Sequence, residues 1–339
     1  MIKKKNIFII AEAGVNHNGS LKIAKKLIEF AAKAGADAIK FQTFDAKELV
    51  SNNAKKMSHQ AKASKKLSQQ ELLKRLELSY EDHIILKKYC EKFKIIFLSA
   101  AFDLKSLDLL HKINIKLFKI PSSELNNLVY LKKIATFKKE VILSTGMGYL
   151  SEVRKAIDIL IKNGLKKKQI TLLHCTSQYP ADYKNLNLQA IETLQKSTGC
   201  KVGYSDHSRG LIIPYALALH NISVYEKHFT LNRKLNGPDH IFSIEPKELS
   251  IMIKNIRNIR SAMGDGVKKP NKMEIEHRKL GRKSVVAKKN IKIGEKFNLK
   301  NITLKRPGTG ISPMDFYKLI GKKSKENYKQ DQLIKKKNL

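Results

Sequence analysis

Eight short apolar runs, spread over the first two-thirds of the chain, each end in polar residues, and this constrains the fold more than any other feature. They span 7–12, 37–42, 95–99, 117–122, 141–144, 171–176, 202–207 and 224–228. Most are separated by stretches of helical periodicity, such as 21–34 and 151–162, the alternation expected of a parallel sheet with crossover helices. Eight such units predict an α/β fold, a closed (β/α)8 barrel of the TIM type. The carboxyl ends of its strands form one face, where catalytic residues gather. The polar ends of the runs therefore point to an enzyme.

At 339 residues, 42% of them hydrophobic, the chain can fill a barrel core and still form one small domain. The phrase MGDGVKKPN at 263–271, with its glycines and proline, marks the change. The expected partition is a catalytic barrel over 1–265, closed by a helix at 246–260, a linker over 266–282, and a small domain over 283–339. Short β-prone pieces broken by Gly, Asn and Pro make that last region a compact, irregular β-rich module. The longest excursion in the barrel lies between the second and third runs. Its polar stretch 51–70, containing AKKMSHQAKASKKLSQQ, lacks a steady apolar face and predicts a loop or short helix over the barrel mouth, able to act as a lid. His59 within it reads as a surface histidine rather than a ligand.

The formal net charge of +37 suits an anionic partner. Lysines occur in nearly every segment without a basic stripe interleaved with aromatics, which argues against nucleic acid and leaves a field that attracts a small anion. Cys90, Cys175 and Cys200 form neither a CxxC pair nor a zinc-ligand spacing, and an odd count gives no complete disulfide framework, so a reducing cytoplasm is expected. The basic residues 1–5 precede an apolar run that stops at Glu12, which predicts a first strand rather than a signal peptide. No run approaches the roughly 18 apolar residues of a membrane span.

Side chains two apart in a strand share a face. In DAIKFQ, Ala38, Lys40 and Gln42 lie opposite Ile39 and Phe41, which turns Lys40 into the barrel. Lys119, between Phe118 and Ile120, turns inward by the same rule, as do Ser205 with His207 and Glu226 with His228, leaving Lys227 outside. A buried, unpaired ammonium is costly, so both lysines need negative partners. With Ser122, Ser144 and Ser205 they would cradle a phosphate or carboxylate through charge-assisted hydrogen bonds. The alternative is that they merely neutralise Glu12, Glu124 or Glu226. His207 and His228, at the ends of neighbouring strands, could ligate one divalent metal with open positions for water or substrate, although strand histidines also serve as ordinary core residues. His17, His174 and His240 are further histidines with weaker claims, His17 because the Asn and Gly of AGVNHNG also have a plain turn role.

The phrases AEAGVNHNGS, IKFQTF, FKIPSSE, ILSTGM, HCTSQYP, VGYSDHSRG, YEKHFTLNRKLNGPDH and LKRPGTGI follow one another in that order. By them the chain resembles the sialic acid synthase family, enzymes that condense phosphoenolpyruvate with an N-acylated mannose-type sugar to make nonulosonic acids. The resemblance spans nearly the whole chain and implies a (β/α)8 barrel joined to an antifreeze-like, or SAF, domain. It implies that Lys40, Lys119, Ser122, Ser144 and Ser205 hold phosphoenolpyruvate, and that Glu12 lies near the reacting centre, with Tyr179 and Glu226 also in the catalytic set. It further implies substrate contacts at Phe102, Glu124, Ser177 and Asp239, and Mn²⁺ or Mg²⁺ at His207 and His228. Arg306 would extend from the SAF domain into the partner's barrel in a domain-swapped homodimer.

Three departures from the family pattern stand out. Ser99-Ala100-Ala101-Phe102 replaces the usual S-T-P-F and removes a hydroxyl that helps bind phosphoenolpyruvate. Ser123 stands where glycine is common, which matters if that turn needs a positive φ. Ser177 stands where many N-acetylneuraminate synthases carry asparagine and, with AEAGVNHNGS and GPDH, brings the chain nearer the legionaminate-synthase branch. The expected sugar is N-acetylmannosamine or 2,4-diacetamido-2,4,6-trideoxymannose. The alternatives are another phosphoenolpyruvate-condensing aldolase that uses a phosphorylated sugar, and a non-catalytic carbohydrate-binding protein on a degenerate barrel, encouraged by Ala100 alone.

Overall fold

A computed structural model describes residues 6–56, 60–61 and 66–339, which form two compact units, Met1–Gly264 and Asp265–Leu339. His59 lies outside the described residues. In the first unit eight parallel strands close into a barrel in sequence order: β1 (Phe8–Gly14), β2 (Ala38–Thr43), β3 (Ile96–Ala101), β4 (Leu117–Ile120), β5 (Glu140–Ser144), β6 (Ile170–Cys175), β7 (Lys201–Asp206) and β8 (Val224–His228). Closure is made by β1 against β8, with Phe8 opposite Val224 and Glu12 opposite His228. The eight-strand barrel expected from the apolar runs is the observed fold. Strand β4 ends one residue before Pro121, whose missing N–H cannot extend the ladder. Ser122 and Ser123 therefore lie in a 3-10 turn, Ser122–Glu124. Ser123 has no positive φ there, so its turn does not require glycine.

The inward faces begin with an apolar plug of Phe8, Ile10, Ala38, Leu98, Leu117, Ile142, Leu173 and Val224. Gly203 of β7 belongs to this level by alternation. A Cβ on it would lie 2.3 Å from the Val224 carbonyl oxygen and 2.8 Å from Leu173 Cδ2, so only glycine fits the filled interior. The outward faces are covered by helices. In the helix Leu21–Ala34, Ser20 caps the start by accepting from Ile23 N–H at 3.4 Å, and Gly35 ends it at φ 87°. Its residues Ala24, Leu27, Ile28 and Ala31 recur at helical spacing and bury one face. The helix Pro246–Ala262 follows β8, begun by Pro246 and the Glu245–Glu248 capping pair.

Lys227 does point away from the barrel interior, but it is only 1% exposed, because the outward face of a parallel sheet lies under helices and loops. Its ammonium lies 2.6 Å from Asp206 Oδ2 and donates to the Ser208 carbonyl at 2.8 Å.

The β2–β3 excursion includes the short helices Ala46–Leu49 and Gln69–Lys74, the latter started by a Ser68–Glu71 capping box. They enclose a satellite core of Val15, Phe44, Ala46, Leu72, Leu73 and Leu76.

In the second unit, the antiparallel pair β9 (Ser284–Ala287) and β10 (Ile302–Lys305) anchors a core that includes Val285, Ile291, Phe297, Ile311 and Tyr328. The stretch 266–282, expected as a linker, holds regular structure. A ten-residue helix, Lys272–Gly281, occupies most of it, begun by an Asn271–Glu274 capping box and carrying no buried residue. No helix among the described residues is long and apolar enough to cross a membrane.

Candidate active site

One level above the apolar plug the inward residues turn polar. Lys40 Nζ lies 3.2 Å from Glu12 Oε1 and 3.2 Å from Glu226 Oε1. Lys119 Nζ stands 4.0 Å from Glu226 Oε1 and donates to Ser144 Oγ at 2.6 Å. Ser205 Oγ donates to Glu226 Oε1 at 3.0 Å, and Gln42 Nε2 donates to Glu12 Oε1 at 3.4 Å. None of these four charged residues is more than 5% exposed.

Their protonation follows from burial set against neighbours. Burial outweighs the Lys40 ammonium at Glu12 and pushes its carboxyl up to about 8, so it is largely neutral at pH 7. Burial acts the same way on Glu226, but Lys119, Lys40 and the Ser205 hydroxyl hold it below its ordinary value. Burial lowers Lys119 to about 8, while Glu12 and Glu226 overcome burial at Lys40 and raise it. Burial thus favours the neutral form of Glu12, while the two lysines and Ser205 favour the ionised form of Glu226. Both lysines meet carboxyl groups, as the sequence-based alternative has it: Lys40 lies beside Glu12 and Glu226, and Lys119 pairs at the longer distance with Glu226. The Glu124 carboxylate accepts from Asn127 Nδ2 at 2.6 Å, and Glu124 is not among the residues that line the cavity above the cluster.

This cluster forms the floor of a cavity of about 160 Å3, whose walls include Ser122, Ser144, Cys175, Ser177, Ser205 and Met147. Ser144 accepts from Lys119 and keeps its own proton for a ligand, whereas the Ser205 proton is engaged by Glu226. Backbone also reaches this wall. Gly146 N–H donates to Ser122 Oγ at 3.1 Å, and a Cβ on Gly146 would lie 2.5 Å from Ser177 Oγ and 2.9 Å from Ser122 Oγ. The glycine lets the chain press against the hydroxyls.

Above it, a second chamber of about 320 Å3 shares Gln42, Phe102, Ser123, Tyr179 and His228 with the first. Its remaining lining includes Asp239, Gln60, Gln69 and the apolar Val15, Phe44, Leu49, Val50, Leu73 and Leu76. Burial pushes the Asp239 carboxyl up to about 7.

His207 and His228 stand near the junction, with ring centroids 5.5 Å apart and the Tyr179 ring 4.3 Å from that of His207. The His207 Nδ1 bonds to the Thr176 carbonyl at 2.7 Å; a carbonyl only accepts, so Nδ1 carries the proton and Nε2 keeps its lone pair. Burial holds His207 down at about 4, so the imidazole is neutral at pH 7, the form that binds metal. The pair fits a divalent ion that takes two imidazoles and fills its other positions with water or substrate. Among the described residues no group of three or more His, Cys, Asp or Glu side chains has metal-binding geometry.

Of the residues singled out from sequence, Glu12, Lys40, Phe102, Lys119, Ser122, Ser144, Ser177, Tyr179, Ser205, His207, Glu226 and His228 all line the lower cavity, and Asp239 lines the upper. Arg306 lies exposed in the second unit. His17 and His240 are buried elsewhere, and His174 bonds to the Leu186 carbonyl at 2.8 Å. Gln42 and Cys175 were missed, although their two-residue spacing from Lys40 and Leu173 signals the inward face. Gly146 had a signal in ILSTGM that only the packing explains. The apolar wall of the upper chamber had none, because an irregular excursion has no period to read.

Comparison with known proteins agrees with this geometry. The chain is 50% identical over 332 residues to the N,N'-diacetyllegionaminic acid synthase of Campylobacter jejuni, covering 98% of this chain and 99% of that one. It is 42% identical to the enzyme of the same name from Legionella pneumophila, covering 94% and 91%. A crystal structure of an N-acetylneuraminic acid (sialic acid) synthetase from Leptospira borgpetersenii, in complex with citrate, superposes with a TM-score of 0.71 at 36% identity, covering 80% of this chain and 91% of that one. The NeuB family pattern matches residues 27–268 and the SAF domain pattern residues 282–339. The chain is a member of the NeuB family and carries an SAF domain at its carboxyl-terminal end.

Proposed function

We propose that the protein is a nonulosonate synthase that condenses phosphoenolpyruvate with an N-acylated mannose-type sugar and water, giving a nine-carbon keto acid and inorganic phosphate. The observation that carries this reading is the buried cluster of Lys40, Lys119, Glu226 and Glu12, set beneath two histidines at the junction of two chambers. Lys119, Ser122 and Ser144 hold the phosphate and carboxylate of phosphoenolpyruvate. Carbon 3 of phosphoenolpyruvate attacks the open-chain aldehyde, water adds at carbon 2, and the tetrahedral intermediate loses phosphate. Glu12, largely neutral at pH 7, is placed to give a proton to the aldehyde oxygen as it becomes a hydroxyl. A divalent ion, Mn²⁺ or Mg²⁺, held by His207 and His228, would supply Lewis-acid polarisation of that aldehyde. Tyr179 and Asp239 orient the sugar.

The relatives that share 50% and 42% identity favour 2,4-diacetamido-2,4,6-trideoxymannose over N-acetylmannosamine as the sugar. The protein works in the reducing cytoplasm, where the buried thiols of Cys90, Cys175 and Cys200 stay unpaired. It acts as a homodimer in which Arg306 of the partner subunit completes each site.

The test is phosphate release and product mass with phosphoenolpyruvate and each sugar, before and after chelation. Activity should vanish with chelator and return with Mn²⁺ or Mg²⁺, and His207→Ala and His228→Ala should each weaken Mn²⁺ binding measured directly. Phosphate release with neither sugar sinks the reading; full turnover without metal sinks its metal part.

A further inference from the structure

The lower chamber also decides which end of the sugar enters the upper one. Phosphoenolpyruvate belongs on the floor that holds Lys40 and Lys119, so the aldehyde carbon must meet it at the junction lined by Gln42, Phe102, Tyr179 and His228. The rest of the hexose extends upward, and carbon 6, last in the chain, reaches farthest from the junction. Beyond the residues it shares with the lower chamber, the apolar lining of the upper one is Val15, Phe44, Leu49, Val50, Leu73, Leu76 and Pro238, and of these Leu49, Val50, Leu73 and Leu76 come from the excursion between β2 and β3. Leu73 and Leu76 are 7% and 6% exposed and belong to the satellite core beneath the excursion, so the wall is fixed by its own packing. Apart from Gln42, Ser123, Tyr179 and His228, which the upper chamber shares with the lower one, its polar lining among the described residues is Gln60, Gln69 and Asp239, groups that can pair with acylamino substituents, and no lysine or arginine among the described residues lines it.

We infer that the Leu49, Val50, Leu73 and Leu76 wall receives a methyl group at carbon 6, making the β2–β3 excursion the element that selects a 6-deoxy sugar over its 6-hydroxy counterpart. The inference rests on the synthase reading above and names what sets its sugar specificity. A methyl group leaves water at a gain on such a surface, whereas a hydroxyl leaves its water partners without replacement. An apolar pocket rejects an added hydroxyl by about a hundredfold at most. The size of the preference is therefore bounded.

The experiment compares kcat/KM for 2,4-diacetamido-2,4,6-trideoxymannose and 2,4-diacetamido-2,4-dideoxymannose at saturating phosphoenolpyruvate and metal, in the wild type, Val50→Thr and Leu49→Asn. Both substituted positions are partly exposed, and circular dichroism establishes that the variants fold. The wild type should prefer the 6-deoxy sugar by roughly tenfold to a hundredfold. Either variant should lower that ratio by about threefold or more while the KM for phosphoenolpyruvate stays put. Equal use of the two sugars by the wild type overturns the inference, as does a ratio unmoved in both folded variants. Phosphate release with neither sugar is a different result, because it removes the synthase reading itself.

Discussion

Lys40 and Lys119 are equally buried, yet they are not equivalent. Lys40 sits 3.2 Å from two carboxyl groups, whereas Lys119 has a serine hydroxyl and a carboxylate at 4.0 Å, so Lys119 holds the charge that an incoming anion can use. Lys119→Met should raise the KM for phosphoenolpyruvate by roughly ten- to a hundredfold, the worth of one charged hydrogen bond, and leave the sugar KM nearly unchanged. Steady-state kinetics with each substrate varied checks this, and equal rises in both KM values would count against it. His17 shows a different consequence of burial. It is fully buried, its Nδ1 accepts from Gly19 N–H at 3.0 Å, and burial lowers its pKa to about 4. The unfolded chain protonates His17 near pH 6.5 while the folded chain does not until near pH 4. Its contribution is therefore complete above about pH 6.5 and is lost as pH falls towards 4, on the order of 1–3 kcal/mol. Urea midpoints measured from pH 7 to pH 4.5 should fall steadily for wild type and less steeply for His17→Asn, which keeps an acceptor for Gly19.

At the scale of elements, Asp206 at the end of β7 accepts hydrogen bonds from Lys227 and Tyr225 of β8 and from Ser208 N–H and Oγ, at 2.8 and 2.6 Å for the last two. This outward network clamps the backbone on both sides of His207. Lys227→Met removes the cation and leaves Asp206 buried, so it should cost about 3–5 kcal/mol. The double variant Lys227→Met with Asp206→Asn should be less destabilised than the sum of the two single ones, as read by denaturant unfolding. Strict additivity would mean that the two side chains do not act as a pair. The network was half legible. Alternation put Lys227 outside the barrel, but it says nothing about what covers the outer face. The helix Lys272–Gly281 was legible in principle, since Asn271 and Glu274 form a capping box, yet the glycines and proline just before it dominated the sequence pattern.

At the scale of the whole molecule, the proposed homodimer predicts complementation between two inactive variants. In a mixture of Arg306→Ala and His228→Ala under subunit exchange, a mixed dimer pairs one intact barrel with one intact arginine. Random exchange then restores about a quarter of wild-type activity if Arg306 acts across subunits. Verified mixed dimers that remain inactive show that it acts within its own chain or not at all.

Local periodicity alone determined the eight strands, the polar residues at their ends and the inward aim of Lys40, Lys119, Ser205 and Glu226, because alternation along a strand is a property of neighbours in sequence. The NeuB family phrases follow the same strand ends. Tertiary structure decided the partners. Lys40 takes both Glu12 and Glu226 because three strands bring them within 3.2 Å, and Lys119 stands farther off, 4.0 Å from Glu226. Glu124 looked equivalent to them in sequence, but the turn after Pro121 commits it to Asn127. The apolar wall of Leu49, Val50, Leu73 and Leu76 gathers residues from an excursion with no period of its own. Distances across a barrel depend on closure, and no local pattern encodes them.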